Sequence, residues 1–254
     1  MDRVQDPFAA VDVPAAPREL IAVGGELDVA TLVSAYRSAC FPWPATGRYA
    51  RSLEREALAL AERGEVLRLP GGERPLVPWC SPHPRAVLLA DQLHVPRSLR
   101  QRLRHAGWTA TLDQAFPEVI DACADRGREG TWITAGMRRG YLALHEAGIA
   151  HSIEVWDGDR LVGGLYGVLT GAVFSGESMF HRENDASKAA VVELCARMLE
   201  AGAILVDTQQ ETPHLTAMGQ VMVAREEYAE VVRQLRDLPV TLPVGRRALA
   251  RLVD

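Results

Sequence analysis

The chain has 254 residues, of which 48% are hydrophobic and 24% charged, with a formal net charge of −5. That length and apolar content can bury one sizeable core or two smaller ones, which sets intrinsic disorder aside. A globally basic nucleic-acid-binding domain is excluded, whereas a local basic patch is not.

The N-terminus, MDRVQDPF, lacks an apolar signal core, and Cys40, Cys80, Cys123 and Cys195 lie far apart with no C-x-x-C pair. Both features read as a reduced, cytoplasmic chain. Residues 1–83 are rich in proline and turn signals around short helical patterns such as DVATLVSAYRSACF, and read as a small N-terminal domain. Within it, ARSLEREALALAERGE (50–65) has strong helix formers and predicts a helical insertion, with Leu53, Ala57, Leu60 and Ala61 sharing a face.

Residues 84–254 read as a mixed α/β domain. RSLRQRLRHAG (97–107) predicts a basic helix, TLDQAFPEVIDACAD a second and ITAGMRRGYLALHEAG a third that stops at Gly148. HSIEVW, RLVGGLYGVL and AVFSGESMF, separated by the turns DGD and TG, predict a three-stranded antiparallel meander. The uncharged run from Leu161 to Gly176 is short and glycine-rich, so it reads as a buried hairpin and not as a membrane span. A helix over about 187–201 then leads to the strand AILVDTQ, and a crossover of that length makes AVFSGESMF and AILVDTQ parallel. The tail RRALARLVD is either a terminal helix or a frayed end. A meander followed by such a crossover is the order of the acetyltransferase-like α+β fold.

GESMF contains part of a G-x-S-x-G elbow, but position 180 is Phe and Ser178 lies inside a strand, so the nucleophile reading is weak. Strict alternation places Val173, Ser175, Glu177 and Met179 on one face and Phe174, Gly176, Ser178 and Phe180 on the other. Glu177 on an otherwise apolar face needs a cation or donor, as a structural ion pair or as a group that binds an amine. Asp207 and Gln209 share a face at the C-terminal end of the next strand, where parallel sheets bind ligands, although a turn-forming Asp and an exposed Gln would look the same.

Lys188, the single lysine, falls in the first turn of the crossover helix, where a cation is disfavoured, so Glu177, Asp185 or a phosphate should stand near it. The preceding loop RENDASK has no glycine to present backbone N–H groups to a pyrophosphate, which counts against an acyl-CoA donor. The seven histidines show no metal-ligand spacing. Trp43 and Trp132 sit beside turn residues and suit either base stacking or core anchoring. Arg97, Arg100, Arg102 and Arg104 make the densest positive run and keep RNA open as a partner.

Taken together, FPW (41–43), WCSPHPRAVL (79–88), GTWIT (130–134), AHSIEVW (150–156), LVGGLYG (161–167), FSGESMF (174–180), NDASK (184–188), VDTQ (206–209) and HLTAMG (214–219) resemble the leucyl/phenylalanyl-tRNA–protein transferases of bacteria. The resemblance implies a soluble enzyme that uses no cofactor. Such an enzyme moves Leu or Phe, and less readily Met, from aminoacyl-tRNA to the α-amino group of proteins beginning with Arg or Lys, marking them for degradation. It implies an aminoacyl pocket of Leu165, Phe174, Gly176 and Val206, and Trp43 and Trp132 at the tRNA 3′ adenosine. It further implies Glu177 at the acceptor amine, Asp207 and Gln209 as the catalytic pair with Asp207 polarising Gln209, and the four arginines at the tRNA backbone. Nothing in it demands more than a monomer. The sequence departs from the family at Cys80, His83 and Thr208 and is longer over 45–77. Two rival readings are an aminoacyl-tRNA-dependent peptidyltransferase of cell-wall synthesis, which usually has a duplicated domain, and a non-catalytic adaptor for basic N-termini.

Overall fold

A computed structural model describes residues 6–9, 11–44, 46–125 and 131–253. Gly130 of GTWIT and the first five residues lie outside them. The protein is mixed α+β, with eight α-helices and two sheets among the described residues. The first region runs β1 (Leu20–Gly24), α1 (Val29–Arg37), β2 (Phe41–Pro42), α2 (Ala50–Glu62), β3 (Leu67–Leu69) and β4 (Pro78–Cys80). Its strands form a four-stranded sheet in the order β2-β4-β1-β3. Then come β5 (Arg85–Leu89), α3 (Arg97–His105), β6 (Thr109–Leu112), α4 (Phe116–Ala124), α5 (Ala135–Glu146), β7 (Ala150–Asp157), β8 (Arg160–Thr170) and β9 (Val173–His181). The chain closes with α6 (Ala186–Glu200), β10 (Leu205–Gln209), α7 (Pro213–Thr216), β11 (Val221–Val223), α8 (Arg225–Leu235) and β12 (Arg247–Ala248). The larger sheet has the order β11-β5-β10-β9-β8-β7-β6-β12.

The meander forms as its short turns require: β7 pairs with β8 and β8 with β9, both antiparallel, and the crossover through α6 brings β10 parallel to β9. One face of the large sheet packs with α1, α4, α5, α8 and the small sheet in a cluster that includes Tyr36, Trp79, Phe116, Tyr141, Tyr166 and Tyr228. The other face packs against α6 and α3, through Leu99, Leu103, Leu165, Phe174, Leu194 and Met198. The first of these clusters is therefore continuous across both sheets.

Four sequence expectations change. Thr111 and Leu112, the start of the second expected helix, belong to strand β6, and the helix begins only at Phe116, because Thr109–Leu112 is captured by β7. The inner face of α2 is Ala50, Glu54, Ala57 and Leu60, while Leu53 is exposed. Glu54 goes inward because its carboxylate accepts the Leu76 N–H at 3.0 Å. The tail is neither a long helix nor frayed: Arg247–Ala248 pairs with β6 and Leu249–Leu252 makes a 3-10 turn.

The fourth change bears on the site. The β8–β9 register slips between Tyr166 and Gly167, leaving Glu177 as the extra residue of a β-bulge. Alternation inverts across it. Val173 shares its cluster with Phe180, and Phe174 packs with the cluster that Met179 joins, opposite to the strict pattern.

Candidate active site

Strands β9 and β10 pair at Val173 with Leu205, Phe174 with Val206 and Ser175 with Asp207, and there the ladder stops. β9 continues to His181 through its bulge, while β10 slips register against β5 between Asp207 and Gln209 and ends with Gln209 at φ +64. A non-glycine residue in that region is strained, on the order of 1–3 kcal/mol, and must be held there by its surroundings. The Asp207 carboxylate does so by accepting the Gln209 main-chain N–H at 2.9 Å. Two adjacent irregularities thus part a parallel strand pair at its carboxyl end.

A cavity of about 280 Å³ opens at the parting. Leu165, Phe174, Gly176 and Val206, the four expected pocket residues, all line it, with Met179, Leu194 and Leu215 adding apolar surface. Glu177, Ser178 and Thr208 supply polar groups. Gly176 is not required by its neighbours, since a Cβ there would meet only the Asp207 carbonyl oxygen, at 3.6 Å. Its missing side chain instead keeps the cavity open. Gly167 on β8 is the contrary case, because a Cβ there would strike the Ser175 carbonyl oxygen and the Phe174 ring.

Glu177 is 8% exposed and fully engaged. Its Oε1 accepts from Tyr36 Oη at 2.7 Å and Gln209 Nε2 at 2.7 Å, and its Oε2 accepts from Tyr141 Oη at 2.6 Å. Tyr36 and Tyr141 also stand 2.6 Å apart, oxygen to oxygen. For all three close oxygen contacts to be hydrogen bonds takes three protons, and two phenols supply only two. With Glu177 ionised, both phenols donate to it and the Tyr36–Tyr141 contact lacks a proton, whereas a protonated Glu177 donates to one phenol and every contact carries a proton, so the triangle accommodates either state. Burial pushes the Glu177 pKa from 4.5 up to about 7, against the lowering effect of the Tyr141, Tyr36 and Gln209 hydrogen bonds.

Asp207 is fully buried against a cation. Arg85 grips it in a fork, Nε to Oδ1 at 2.8 Å and Nη2 to Oδ2 at 2.6 Å, and Tyr228 donates to Oδ2 at 2.8 Å. The guanidinium lies between the Phe41 and Tyr228 rings, 4.7 and 4.5 Å from their centroids. Asp207 therefore does not polarise the Gln209 side chain as the resemblance implies. It reaches Gln209 through the main chain, and Glu177 orients the amide. The Gln209 Nε2 is committed to Glu177, while its Oε1 has no hydrogen-bond partner among the described residues.

Sequence reasoning missed Arg85, Tyr228, Tyr36 and Tyr141. Arg85 left a signal: an arginine opening the apolar strand RAVLL must find an anion once buried. The tyrosines left none beyond their place on apolar helix faces.

Trp43 and Trp132 come together, near-parallel at 16° with centroids 6.4 Å apart. The four arginines of α3 lie on its exposed side while Leu99 and Leu103 are buried. Arg100 and Arg104 donate to the Val95 and Val253 carbonyls and Arg102 stands over Trp108. Lys188 meets Asp185 at 2.8 Å, one of the anions anticipated for it. Ser178 lines the cavity rim without a strand-to-helix turn beneath it.

The fold and the site define a class: an α+β protein with a small, largely apolar cavity beside a buried acid that is hydrogen-bonded to an amide. Residues 87–233 match the family model described as leucyl/phenylalanyl-tRNA protein transferase. A leucyl/phenylalanyl-tRNA–protein transferase of Stutzerimonas stutzeri is 43% identical over 225 residues, 88% of this chain and 88% of its own. One from Proteus mirabilis is 45% identical over 216 residues, 85% of this chain and 82% of its own. The chain belongs to the leucyl/phenylalanyl-tRNA protein transferase family, as its motifs suggested. Among solved structures, L-PGS from Bacillus licheniformis aligns over 66% of this chain and 63% of its own at 14% identity with a TM-score of 0.39, a likeness too distant to carry an argument.

Proposed function

We propose that the chain transfers leucine or phenylalanine, and less readily methionine, from aminoacyl-tRNA to the α-amino group of a protein beginning with Arg or Lys. The observation that carries the reading is the cavity between the parted strands, where Leu165, Phe174, Gly176 and Val206 converge beside Glu177. An apolar hole discriminates chiefly by volume, with one methylene worth roughly 1–3 kcal/mol, so tolerance of Leu, Phe and Met follows. The near-parallel rings of Trp43 and Trp132 suit stacking of the tRNA 3′ adenine, and the α3 arginines suit phosphate contacts.

An ester to ribose is already activated, so alignment of the attacking amine supplies much of the rate. The amine nitrogen bonds to the carbonyl carbon, the carbon–oxygen bond to ribose breaks, and a proton leaves the nitrogen as the ribose oxygen takes one up. Gln209 presents Oε1 to the amine N–H. Glu177, with a pKa near 7, accepts the proton far better than an amide does. Asp207 holds Gln209 in its left-handed turn. We read residues 1–83 as an N-terminal domain that supplies Trp43 and Tyr36, and 84–254 as an acetyltransferase-like catalytic domain.

The test uses labelled Leu-tRNA and Phe-tRNA with a peptide beginning with Arg and one beginning with Glu. Label in the first peptide alone is the expected result. Label in neither overturns the reading and leaves the adaptor, and label passing only to a branched cell-wall peptide favours the peptidyltransferase.

A further inference from the structure

Several surface arginines among the described residues are neutralised by a neighbouring acid: Arg18 and Arg63 by Glu65, Arg138 by Asp121, Arg139 by Glu73, Arg160 by Asp157 and Arg247 by Glu200. Helix α2, like α3, carries arginines that are not. Arg51 and Arg55, one turn apart and both exposed, have no carboxylate in salt-bridge reach among the described residues. Like charges at that spacing repel, and Arg51 also sits in the first turn, against the helix dipole, with no acid beside it there. Together they line an open hollow of about 590 Å³ with Glu54, Arg74 and Pro75. Arg74 is 72% exposed and only 3.8 Å from Glu54, whose carboxylate is already bound to the Leu76 N–H. The hollow is therefore net positive and its charge is turned to solvent.

A second hollow, of about 540 Å³, shares Arg74 and Pro75 with the first and reaches Pro44 and Thr134. Pro44 follows Trp43 in the chain, and Thr134 lies two residues beyond Trp132. Of the acids in this second hollow, Glu73 pairs with Arg139, while Glu26, which accepts the Gly72 N–H, and Asp28, which caps α1 at Thr31, keep their charge. The two hollows thus adjoin at Arg74 and Pro75, and the trough they make runs from Pro44 and Thr134, near the tryptophans in the chain, to the α2 arginines.

We propose that Arg51, Arg55 and Arg74 form a phosphate-binding surface for the single-stranded 3′ end of the tRNA, separate from the arginines of α3. The proposal rests on the aminoacyl-tRNA reading above. With the terminal adenine at Trp43 and Trp132, the sugar–phosphate chain entering from its 5′ side follows the trough and brings its charges to α2. Contacts of this kind add affinity without reading sequence.

The test compares the full protein with the variant Arg51→Gln/Arg55→Gln, which keeps good helix formers at both positions. For Phe-tRNA the variant is expected to raise KM about tenfold with kcat within twofold of wild type. The slope of log affinity for tRNA against log salt is expected to become shallower by about 0.7 for each phosphate that is no longer neutralised. For phenylalanyl-adenosine, a donor without the 5′ phosphates, the loss should be at least fivefold smaller. Equal losses on the two donors, or a KM and salt slope matching wild type on Phe-tRNA, overturn the α2 surface alone. A wild-type protein inactive with both donors overturns the functional reading itself, and this proposal with it.

Discussion

Asp207 and Glu177 lie on neighbouring strands and are both buried, yet their surroundings are opposite in kind. Asp207 faces a guanidinium that grips both of its oxygens. Glu177 faces only neutral donors, two phenols and an amide, and its pKa is pushed up to about 7 by burial. A carboxylate bound to an arginine is a fixed charge that can brace a backbone. One held by neutral groups near its own pKa can take up and release a proton at neutral pH. Under the proposed function the two acids divide the work, Asp207 holding the strand end in shape and Glu177 exchanging the proton.

The largest effect should come from breaking the fixed pair. Arg85→Met leaves Asp207 buried and uncompensated and should cost about 3–5 kcal/mol in urea unfolding, most of which the double variant Arg85→Met/Asp207→Leu should recover. A loss under about 1 kcal/mol would mean that Asp207 is no more fixed than Glu177.

Glu177→Gln should slow transfer about 10²-fold while leaving the fold intact. In the wild type the rate should fall as pH drops below about 7, because the carboxylate becomes protonated, and this limb should vanish in the variant. Stability should move the other way. The folded state binds more protons than the unfolded state between about pH 4.5 and 7, so wild-type stability declines as pH rises through that window. Above it, Glu177→Gln should be the more stable protein, by up to about 3 kcal/mol. Tyr141→Phe sharpens the point: it removes a donor that lowers the Glu177 pKa, so the acid limb should shift to higher pH.

Gly176→Val fills cavity space and should penalise Phe more than Leu, by roughly 1–3 kcal/mol in kcat/KM. Gly167→Ala should chiefly lower the unfolding midpoint, since its Cβ meets the Ser175 carbonyl oxygen and the Phe174 ring, and any change of preference would come through displacement of that pocket ring. The smallest effect belongs to Lys188→Met. Its partner Asp185 is partly exposed, and the pair should contribute about 0.2–1 kcal/mol, readable as a small shift in Tm.

Much of the architecture was legible because its signals are local. Apolar alternation broken by DGD and TG specifies the meander, and the length of the crossover makes β10 parallel to β9. The anion beside Lys188 follows from its position in the first helical turn. The motif resemblance also named four residues that the fold brings to one cavity.

Other features were decided between segments far apart in the chain. Strict alternation failed at Glu177 because a bulge is a mismatch between two strands, invisible in either alone. Asp207 took Arg85, 122 residues away, instead of the nearby Gln209 side chain. Tyr36, 141 residues from Glu177, and Tyr141, 36 residues from it, are the donors to that acid. The sequence by itself determined the meander, the crossover and the longer helices, because those depend on spacing along the chain. Tertiary structure alone decided which acid meets a guanidinium and which meets only neutral donors, because those partners come from other elements.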